Sequence, residues 1–195
     1  MITDLVPLVF KNNTNMLLNI ITPCSRPENL LKISESINIP KENYRWIVVF
    51  DMEEFPNKEL IPDNCEIFLH KNPLSVAGHS QRNFALELIK EGFIYSNDDD
   101  TIIHPNLWEN IKDLDNDFIS FIQLDKKGYL RLLGNTINVG YIDSHNFIVS
   151  HKIVGKTRFI LDKYDADGYF AMECRQKSVW PLHINKPLSI YNQLR

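Results

Sequence analysis

The chain of 195 residues has few cysteines, no long apolar run and no excess of positive charge. Its three cysteines, Cys24, Cys65 and Cys174, are odd in number and far apart, which argues against a disulfide framework and against a zinc knuckle. The longest apolar runs, near 17–21 and 46–50, are much shorter than the ~20 residues that a membrane helix needs. The N-terminus also lacks a basic-then-apolar signal pattern. We therefore predict reduced thiols, a cytoplasmic location and no membrane span.

Acidic and basic residues are mixed along the chain, and their numbers, 25 and 21, give a net charge of −4. This balance argues against a nucleic acid as the main partner. With 44% hydrophobic residues, the chain can bury one sizeable core. It contains no linker rich in proline, glycine and serine, no internal repeat and no low-complexity tract. We predict a single domain, 1–195.

Short apolar runs typical of strands alternate with amphipathic stretches typical of helices, which predicts an α/β fold with a mostly parallel first half. Proline near the start of the first helix and glycine at the end of the second support their boundaries. The predicted strands cover 17–21, 44–50, 66–69, 93–95, 118–124, 129–133, 139–142, 147–150 and 179–184, and the predicted helices cover 27–37, 81–91, 105–114 and a segment after Asp167.

The most informative segment is the run Tyr95-Ser96-Asn97-Asp98-Asp99-Asp100, which follows an apolar segment that fits a buried strand. Three adjacent carboxylates repel one another and gain little in a core. A divalent cation beside them, together with the phosphates that it carries, explains their crowding. Oxygen ligands suit Mg²⁺ or Mn²⁺.

Other polar residues also follow predicted strands, namely the segment 22–26 and Asp51. Ligands of an open parallel sheet bind beyond the carboxyl ends of its strands, so these residues and the aspartates are expected to share one cleft. Each has an ordinary alternative when taken singly: Asp51 caps a turn, Ser25 caps the next helix, and Arg26 is a solvated loop charge.

Four segments, each at or near the end of a predicted strand or the start of a predicted helix, form a recognisable pattern when they are taken together. They are Ile-Thr-Pro-Cys-Ser-Arg-Pro at 21–27, Val-Val-Phe-Asp at 48–51, Ala-Gly-His-Ser-Gln-Arg-Asn-Phe-Ala-Leu at 77–86 and Asn-Asp-Asp-Asp-Thr at 97–101. Together they resemble GT-A-fold glycosyltransferases that use nucleotide sugars, especially the glucuronyltransferase branch and family-2-like enzymes. An acidic pair alone is weak evidence, but four segments in this order and spacing are more specific. The resemblance covers 17–110 well and is thinner afterwards.

The resemblance implies a Rossmann-like GT-A fold, three α/β/α layers with a mostly parallel mixed central sheet. It divides the domain into a nucleotide-sugar-binding half, 1–110, and an acceptor and catalytic half, 111–195. It also implies a nucleotide pocket: Thr22, Pro23 and Arg26 at the base and ribose, Asp51 at the uracil ring, and Gly78, Arg82 and Asn83 in the next wall. A glycine allows close backbone approach, and an arginine at a helix start offers a fork for pyrophosphate oxygens. The alternative for Arg82 is a surface ion pair with Glu87 or Glu91.

For the acidic run, the resemblance implies that Asp98 faces the ribose and that Asp100 binds Mn²⁺ or Mg²⁺. The triple aspartate permits two registers around Asp99, which we assign to nucleotide binding. A cation there would stabilise the departing nucleoside diphosphate. His183, in a late apolar strand, is the candidate that would complete the metal shell; a packed, hydrogen-bonded histidine is the alternative. His104, just before Pro105, is expected to be structural.

On the acceptor side, Tyr-Asp-Ala-Asp-Gly-Tyr-Phe at 164–170 is similar to a segment that supplies a carboxylate at a helix start in many inverting GT-A enzymes. Asp167 is therefore the candidate general base, with Asp165 as the second candidate. Such a carboxylate removes the proton of an acceptor hydroxyl. Helix capping is the alternative for Asp167. Asp143 is the candidate that contacts sugar hydroxyls, with a turn role as the alternative.

The resulting prediction is a metal-dependent glycosyltransferase that moves a sugar from a UDP-sugar to a hydroxyl acceptor, with inversion through Asp167. Retaining enzymes share the nucleotide half of this fold. One alternative is a metal-dependent nucleotidyl- or phosphotransferase, although no Gly-x-x-x-x-Gly-Lys-Ser/Thr loop is present. The other is a UDP-sugar-binding module without turnover.

Overall fold

The computed structural model describes residues 16–195, which build one mixed sheet covered by helices. The strands are β1 (Leu18–Cys24), β2 (Tyr44–Phe50), β3 (Glu66–Leu69), β4 (Phe93–Ser96), β5 (Phe118–Leu124), β6 (Leu130–Leu132), β7 (Phe147–Ser150) and β8 (Pro181–Ile190). The helices are α1 (Leu30–Ser36), α2 (His79–Leu88), α3 (Leu107–Ile111), α4 (His151–Val154) and α5 (Ala166–Lys177). Within this range, no helix is long and apolar enough to cross a bilayer.

The sheet has the strand order β3-β2-β1-β4-β7-β5-β6, and β8 pairs with β5. Strands β1 to β4 are parallel to one another. β7 runs antiparallel to both β4 and β5, so β5 and its parallel partner β8 point the same way as β4. The carboxyl ends of β1, β2, β4, β5 and β8 therefore meet at one edge, which confirms the predicted mostly parallel mixed sheet.

Both faces of the sheet are covered, because alternate residues of each central strand point to opposite sides. In β2, Trp46, Val48 and Phe50 join one apolar cluster, which also contains buried residues of α1 and α3. Ile47 and Val49 join the second cluster, with buried residues of α2 and α5. This arrangement is the predicted three-layer α/β/α architecture.

Some predicted boundaries differ from the structure. The first helix opens with a 3₁₀ turn at Pro27–Asn29 before α1 begins. The predicted strand at 139–142 was wrong: Gly140 has a φ of 80°, and the N–H of Tyr141 donates to the carbonyl of Asn138, which closes a turn. The last strand is also longer than predicted, since β8 extends to Ile190 and so reaches the carboxyl edge.

Candidate active site at the carboxyl edge of the sheet

Two adjoining cavities open at the carboxyl edge, with volumes of about 290 Å³ and about 220 Å³. The larger one, the β1 cavity, lies beyond the ends of β1 and β2, and the smaller one, the α5 cavity, lies beside the start of α5. They share four wall residues: Ala77, Asp98, Tyr164 and Tyr191. Another cavity, of about 700 Å³, lies at the opposite edge of the sheet and contains none of the predicted site residues.

Most of the residues predicted from the sequence line these two cavities. The β1 cavity is lined by Pro23, Arg26, Asp51, Gly78, Asp98 and Asp100, and the α5 cavity by Arg82, Asp98, Asp143 and Asp167. The predicted residues outside both walls are Thr22, Asn83, Asp99 and His183.

Thr22 and Asn83 have structural contacts instead. Thr22 is completely buried, and its hydroxyl accepts a hydrogen bond from the Trp46 indole at 2.9 Å. The Asn83 amide pairs with both the N–H and the carbonyl of Phe159, each at 2.8 Å, and so fastens α2 to the segment before α5. The structure thus brings neither side chain to the predicted nucleotide pocket.

Asp99 is buried, and both of its carboxylate oxygens are engaged within the protein. Oδ2 accepts from the backbone N–H groups of Ser25 at 2.6 Å and Arg26 at 2.8 Å. Oδ1 accepts from the Arg26 guanidinium, with Nε at 3.0 Å. These bonds tie the loop after β1 to the loop after β4. Of the three aspartates, Asp98 and Asp100 face the cavity, and Asp99 has no oxygen turned toward it.

Gly78 allows the loop before α2 to approach the end of β1. Its φ is +74°, and a Cβ atom there would lie 2.6 Å from Pro23 Cβ, so a larger residue would force the two loops apart. The preceding residue, Ala77, also has a positive φ, 49°, which is uncommon for alanine. Its carbonyl accepts a hydrogen bond from Arg82 Nη1 at 2.5 Å, which stabilises this irregular turn.

Arg82 is 3% exposed and acts on Asp98 rather than on the open cavity. Its Nε donates to Ser96 Oγ at 2.8 Å, and Nη2 forms an ion pair with Asp98. The predicted pyrophosphate fork is therefore already occupied by protein groups. The alternative pairing with Glu87 is not observed either, because Glu87 pairs with Arg158.

His145, which the sequence analysis missed, is completely buried between two carboxylates. Nε2 lies 3.0 Å from Asp98 Oδ2, and Nδ1 lies 3.4 Å from Asp143 Oδ1. The backbone nitrogen of Asp98 also lies 3.0 Å from Nε2 and donates to it, which favours a neutral ring, whereas the two carboxylates favour the protonated ring. Burial lowers the pKa of His145, and the charges of Asp98 and Asp143 overcome this effect and raise it to about 9.

Arg82 and His145 together set the protonation state of Asp98. Burial would raise the pKa of the Asp98 carboxyl, but the charges of Arg82 and then His145 bring it well below its usual range. Asp98 is therefore a carboxylate at the junction of the two cavities across the physiological pH range. A sequence signal for His145 existed in the polar run at 143–146 directly before an apolar strand, but it does not reveal which carboxylates face the ring.

Asp143 has the turn role that was its alternative, and it also faces the α5 cavity. Its Oδ1 accepts from the backbone N–H of His145 at 3.1 Å, and its own N–H donates to Asn146 Oδ1 at 2.9 Å. Its Oδ2 accepts from Arg131 Nη1 at 2.8 Å. The Arg131 guanidinium lies 3.7 Å from the ring centroid of Tyr191. Asp143 thus connects the turn before β7 to β6.

Asp167 lies in the first turn of α5, and its carboxyl faces the α5 cavity. Gly168 allows this placement, because a Cβ atom there would lie 2.7 Å from Val139 Cα. The Gly168 N–H donates to Asp167 Oδ1 at 2.8 Å, so the capping alternative is present in part. Burial, and then the charge of Asp143, raise the pKa of Asp167 to about 6.

The structure does not bring His183 to the acidic run. It lies near the start of β8, paired with Ser120 of β5, and Ser120 Oγ is 3.3 Å from its Nδ1. The carboxyl ends of both strands, Leu124 and Ile190, lie at the other end of this pairing. His183 is thus the packed, hydrogen-bonded histidine of the alternative reading, and the imidazole beside Asp98 belongs to His145.

Asp98 and Asp100 are the members of the acidic run that line the β1 cavity, and they are the candidate ligands for a cation there. No group of three His, Cys, Asp or Glu side chains within 16–195 is arranged to hold a metal ion. Mg²⁺ and related ions are usually bound through one or two carboxylates together with substrate phosphates and water. The two aspartates fit a cation shared with a diphosphate, and they do not fit one held by the protein alone.

Comparisons with solved structures agree with this fold. The chain is similar to S. aureus TarS 1–349 in complex with UDP-GlcNAc, with a TM-score of 0.70 and 16% identity over 90% of this chain and 58% of that one. It is also similar to the same protein with UDP, with a TM-score of 0.73 and 16% identity over 90% and 60%. The third is the mannosyltransferase PcManGT from Pyrobaculum calidifontis with GDP-Man and Mn²⁺, with a TM-score of 0.68 and 11% identity over 92% and 58%.

The chain spans less than two thirds of the length of each of these proteins. No protein-family model matches the chain, and no curated protein matches it by sequence. The fold is that of GT-A-type glycosyltransferases, as the sequence predicted.

Replacing Asp99 tests the tie between the two loops. Asp99→Ala leaves the amides of Ser25 and Arg26 without their acceptor and should lower the free energy of unfolding by roughly 2–4 kcal/mol. Urea denaturation measures this loss. Asp113→Ala, at an exposed position, is the matched control and should change the stability little. A loss of stability in Asp99→Ala no larger than that in the control would show that Asp99 does not hold the two loops together.

His145 should make stability depend on pH in a defined window. Because folding raises the pKa of His145 from 6.5 to about 9, the folded state holds an extra proton between these values. The stabilisation is complete below pH 6.5 and is lost as the pH rises through 9. The wild-type free energy of unfolding should fall by about 1–3 kcal/mol across this window.

Urea denaturation across the window, compared with His145→Gln, measures this effect. The variant should decline less than the wild type, and His183→Gln, whose ring lies away from both carboxylates, should decline as the wild type does. Burial also raises the pKa of the three cysteines, so a part of the decline near pH 9 should remain in every variant. A wild-type stability that stays constant across the window would show that His145 is neutral in the folded protein.

Proposed function

We propose that this chain is a glycosyltransferase domain that transfers a sugar from a UDP-sugar to a hydroxyl acceptor, with Mn²⁺ or Mg²⁺ at the diphosphate. One observation carries the proposal: two adjoining cavities meet at Asp98, one lined by Arg26, Asp51 and Asp100 and the other by Asp167. Such a pair of cavities fits a donor and an acceptor that meet at one reacting carbon. The GT-A-type fold supports this reading.

The β1 cavity is the proposed donor side. Asp51 is exposed at the end of β2, where a carboxylate can accept the N3–H of a uracil ring. Pro23, Gly78 and Arg26 line the same cavity, where they would form the wall around the base and ribose. The UDP-GlcNAc and UDP complexes of TarS support uracil as the base. The likeness to family-2-like enzymes or glucuronyltransferases, which rests on the Gln81-Arg82-Asn83 segment and the acidic run, stays a prediction.

Asp98 and Asp100 would hold the cation together with the diphosphate oxygens. Bound there, Mn²⁺ or Mg²⁺ would neutralise the charge that develops on the leaving nucleoside diphosphate. Asp98 is suited to this position because Arg82 and His145 keep it ionised and fix its orientation. The Mn²⁺ complex of the mannosyltransferase supports a divalent cation in this fold.

Asp167 is the proposed general base. Its carboxylate would accept the proton of the acceptor hydroxyl while that oxygen attacks the anomeric carbon, with inversion at that carbon. Its pKa of about 6 leaves Asp167 ionised at neutral pH. Because this pKa lies near the operating pH, the carboxylate is also a better proton acceptor than an ordinary aspartate. Asp165, which also lines the α5 cavity, is the second candidate. Asp143 would contact sugar hydroxyls from the opposite wall.

Calorimetric titration with UDP, GDP and ATP, each with Mn²⁺ and with EDTA, tests the donor side. We expect Mn²⁺-dependent binding selective for UDP. Asp100→Ala should weaken UDP binding in Mn²⁺ at least roughly tenfold, because one cation ligand is lost. In EDTA it should cause no loss, because the guanidinium groups that it frees remain beside the diphosphate. Asp113→Ala is the matched control.

Equal weakening by Asp100→Ala in both conditions would remove Asp100 from the metal shell. A preference for ATP would favour the nucleotidyltransferase alternative over the glycosyltransferase, and a preference for GDP would change the donor.

Asp167→Asn tests the base through hydrolysis of UDP-GlcNAc and UDP-glucose, in which water takes the place of the acceptor. The rate should fall by at least ~100-fold while UDP binding stays unchanged, because only the proton acceptor is lost. The wild-type rate should decline as the pH falls below about 6, where Asp167 becomes protonated. Asp165→Asn is the control and should retain the rate.

A rate lost only in Asp165→Asn would assign the base to Asp165. UDP binding without turnover in the wild type would favour the UDP-sugar-binding module.

A further inference from the structure

The carboxylate of Asp100 is sealed inside the protein although it lies in a cavity wall. Its side chain is 2% exposed, and its Oδ2 accepts from Arg26 Nη2 at 3.0 Å and from Arg195 Nε at 2.7 Å. Its backbone carbonyl also accepts from the N–H of Leu194 at 2.7 Å. The other carboxylate oxygen, Oδ1, accepts from the Thr101 hydroxyl at 3.3 Å. A cation that binds Oδ2 from the cavity must therefore displace one of the two guanidinium groups.

The two arginines differ in how firmly they are held. Arg26 is fixed by Asp99, which binds its guanidinium and its backbone N–H, and its side chain is 33% exposed. Arg195 has an ion pair with Asp100 alone among the residues of 16–195, and its side chain is 51% exposed. An exposed side chain held by one ion pair leaves at little cost. Arg195 is thus the group that can give way.

The segment that carries Arg195 has a fixed end and a turn. Tyr191 is held by its N–H, which donates to the carbonyl of Leu124 at 2.8 Å, and by the Arg131 guanidinium above its ring. Asn192 follows with a φ of 50°, a left-handed conformation that turns the chain back toward Asp100. Rotation of the exposed Arg195 side chain would release Asp100 Oδ2 without disturbing Tyr191, β8 or the backbone bond of Leu194.

We propose that Arg195 is an internal counter-cation that neutralises Asp100 in the absence of a divalent cation and is displaced when Mn²⁺ or Mg²⁺ binds. This inference rests on the proposed function, since it assumes a cation at Asp100. Together with Arg26, Arg195 compensates the charge of a buried carboxylate. It also sets the cation affinity of the site, because the affinity is reduced by the fraction of molecules in which Asp100 is covered.

Mn²⁺ binding measured by electron paramagnetic resonance, with and without UDP, tests this competition without any activity assay. Arg195→Ala should bind Mn²⁺ at least about threefold more tightly than the wild type, because only Arg26 then competes for Asp100. Arg195→Lys keeps the positive charge and should behave as the wild type does. Arg45→Ala removes an arginine of similar surface character, paired with Glu66 far from the site, and should change nothing.

Unchanged or weaker Mn²⁺ binding in Arg195→Ala, with clear binding by the wild type, would overturn the counter-cation role and leave the proposed function intact. Arg195→Lys that binds as tightly as Arg195→Ala would also overturn it, because charge would then not matter. Failure of all four proteins to bind Mn²⁺ in the presence of UDP would overturn both the counter-cation role and the metal site of the proposed function.

Discussion

At the carboxyl edge of the sheet, the carboxylate of Asp99 binds two backbone N–H groups and the Arg26 guanidinium, and so joins the loops after β1 and β4. This bond set decides which way the neighbouring aspartates face. With Asp99 turned inward, Asp98 and Asp100 are left in the wall of the β1 cavity. It also aims Arg26 at Asp100. The geometry of the acidic run therefore follows from one buried carboxylate that itself has no free oxygen for a ligand.

The other carboxylates of the site follow a simple rule of charge balance. Asp98 is paired with Arg82, Asp100 with two arginines, and Asp143 with Arg131, which is how a protein tolerates several acidic groups in one enclosed place. Asp51, Asp165 and Asp167 form no ion pair with any residue within 16–195, and of these three only Asp167 is partly buried. Burial and like charge therefore raise its pKa. The least compensated carboxyl is also the one best suited to accept a proton.

Much of the fold was readable in the sequence. The bounds of β2, β3, β5 and β7 agree with the prediction, because each is an apolar run bounded by polar or turn residues. Gly140 shows where this reasoning failed, since an apolar stretch at 139–142 became a turn. The two histidines show the limit for the site. His145 and His183 both stand beside apolar strand residues, and only the path of β8 decides that His183 lies away from the edge where His145 meets Asp98.

The sequence by itself determined the α/β class, the strand ends where polar residues collect and the presence of an acidic run, because periodicity and local composition carry that information. Only the tertiary structure decided which side chains of the site contact one another. It turned Asp99 into a clamp, buried Arg82 against Asp98 and set Arg195 over Asp100, although these pairs are 16 to 95 residues apart in the chain. Local sequence cannot encode such contacts by pattern, because the order in which strands assemble into a sheet decides which side chains meet at its edge.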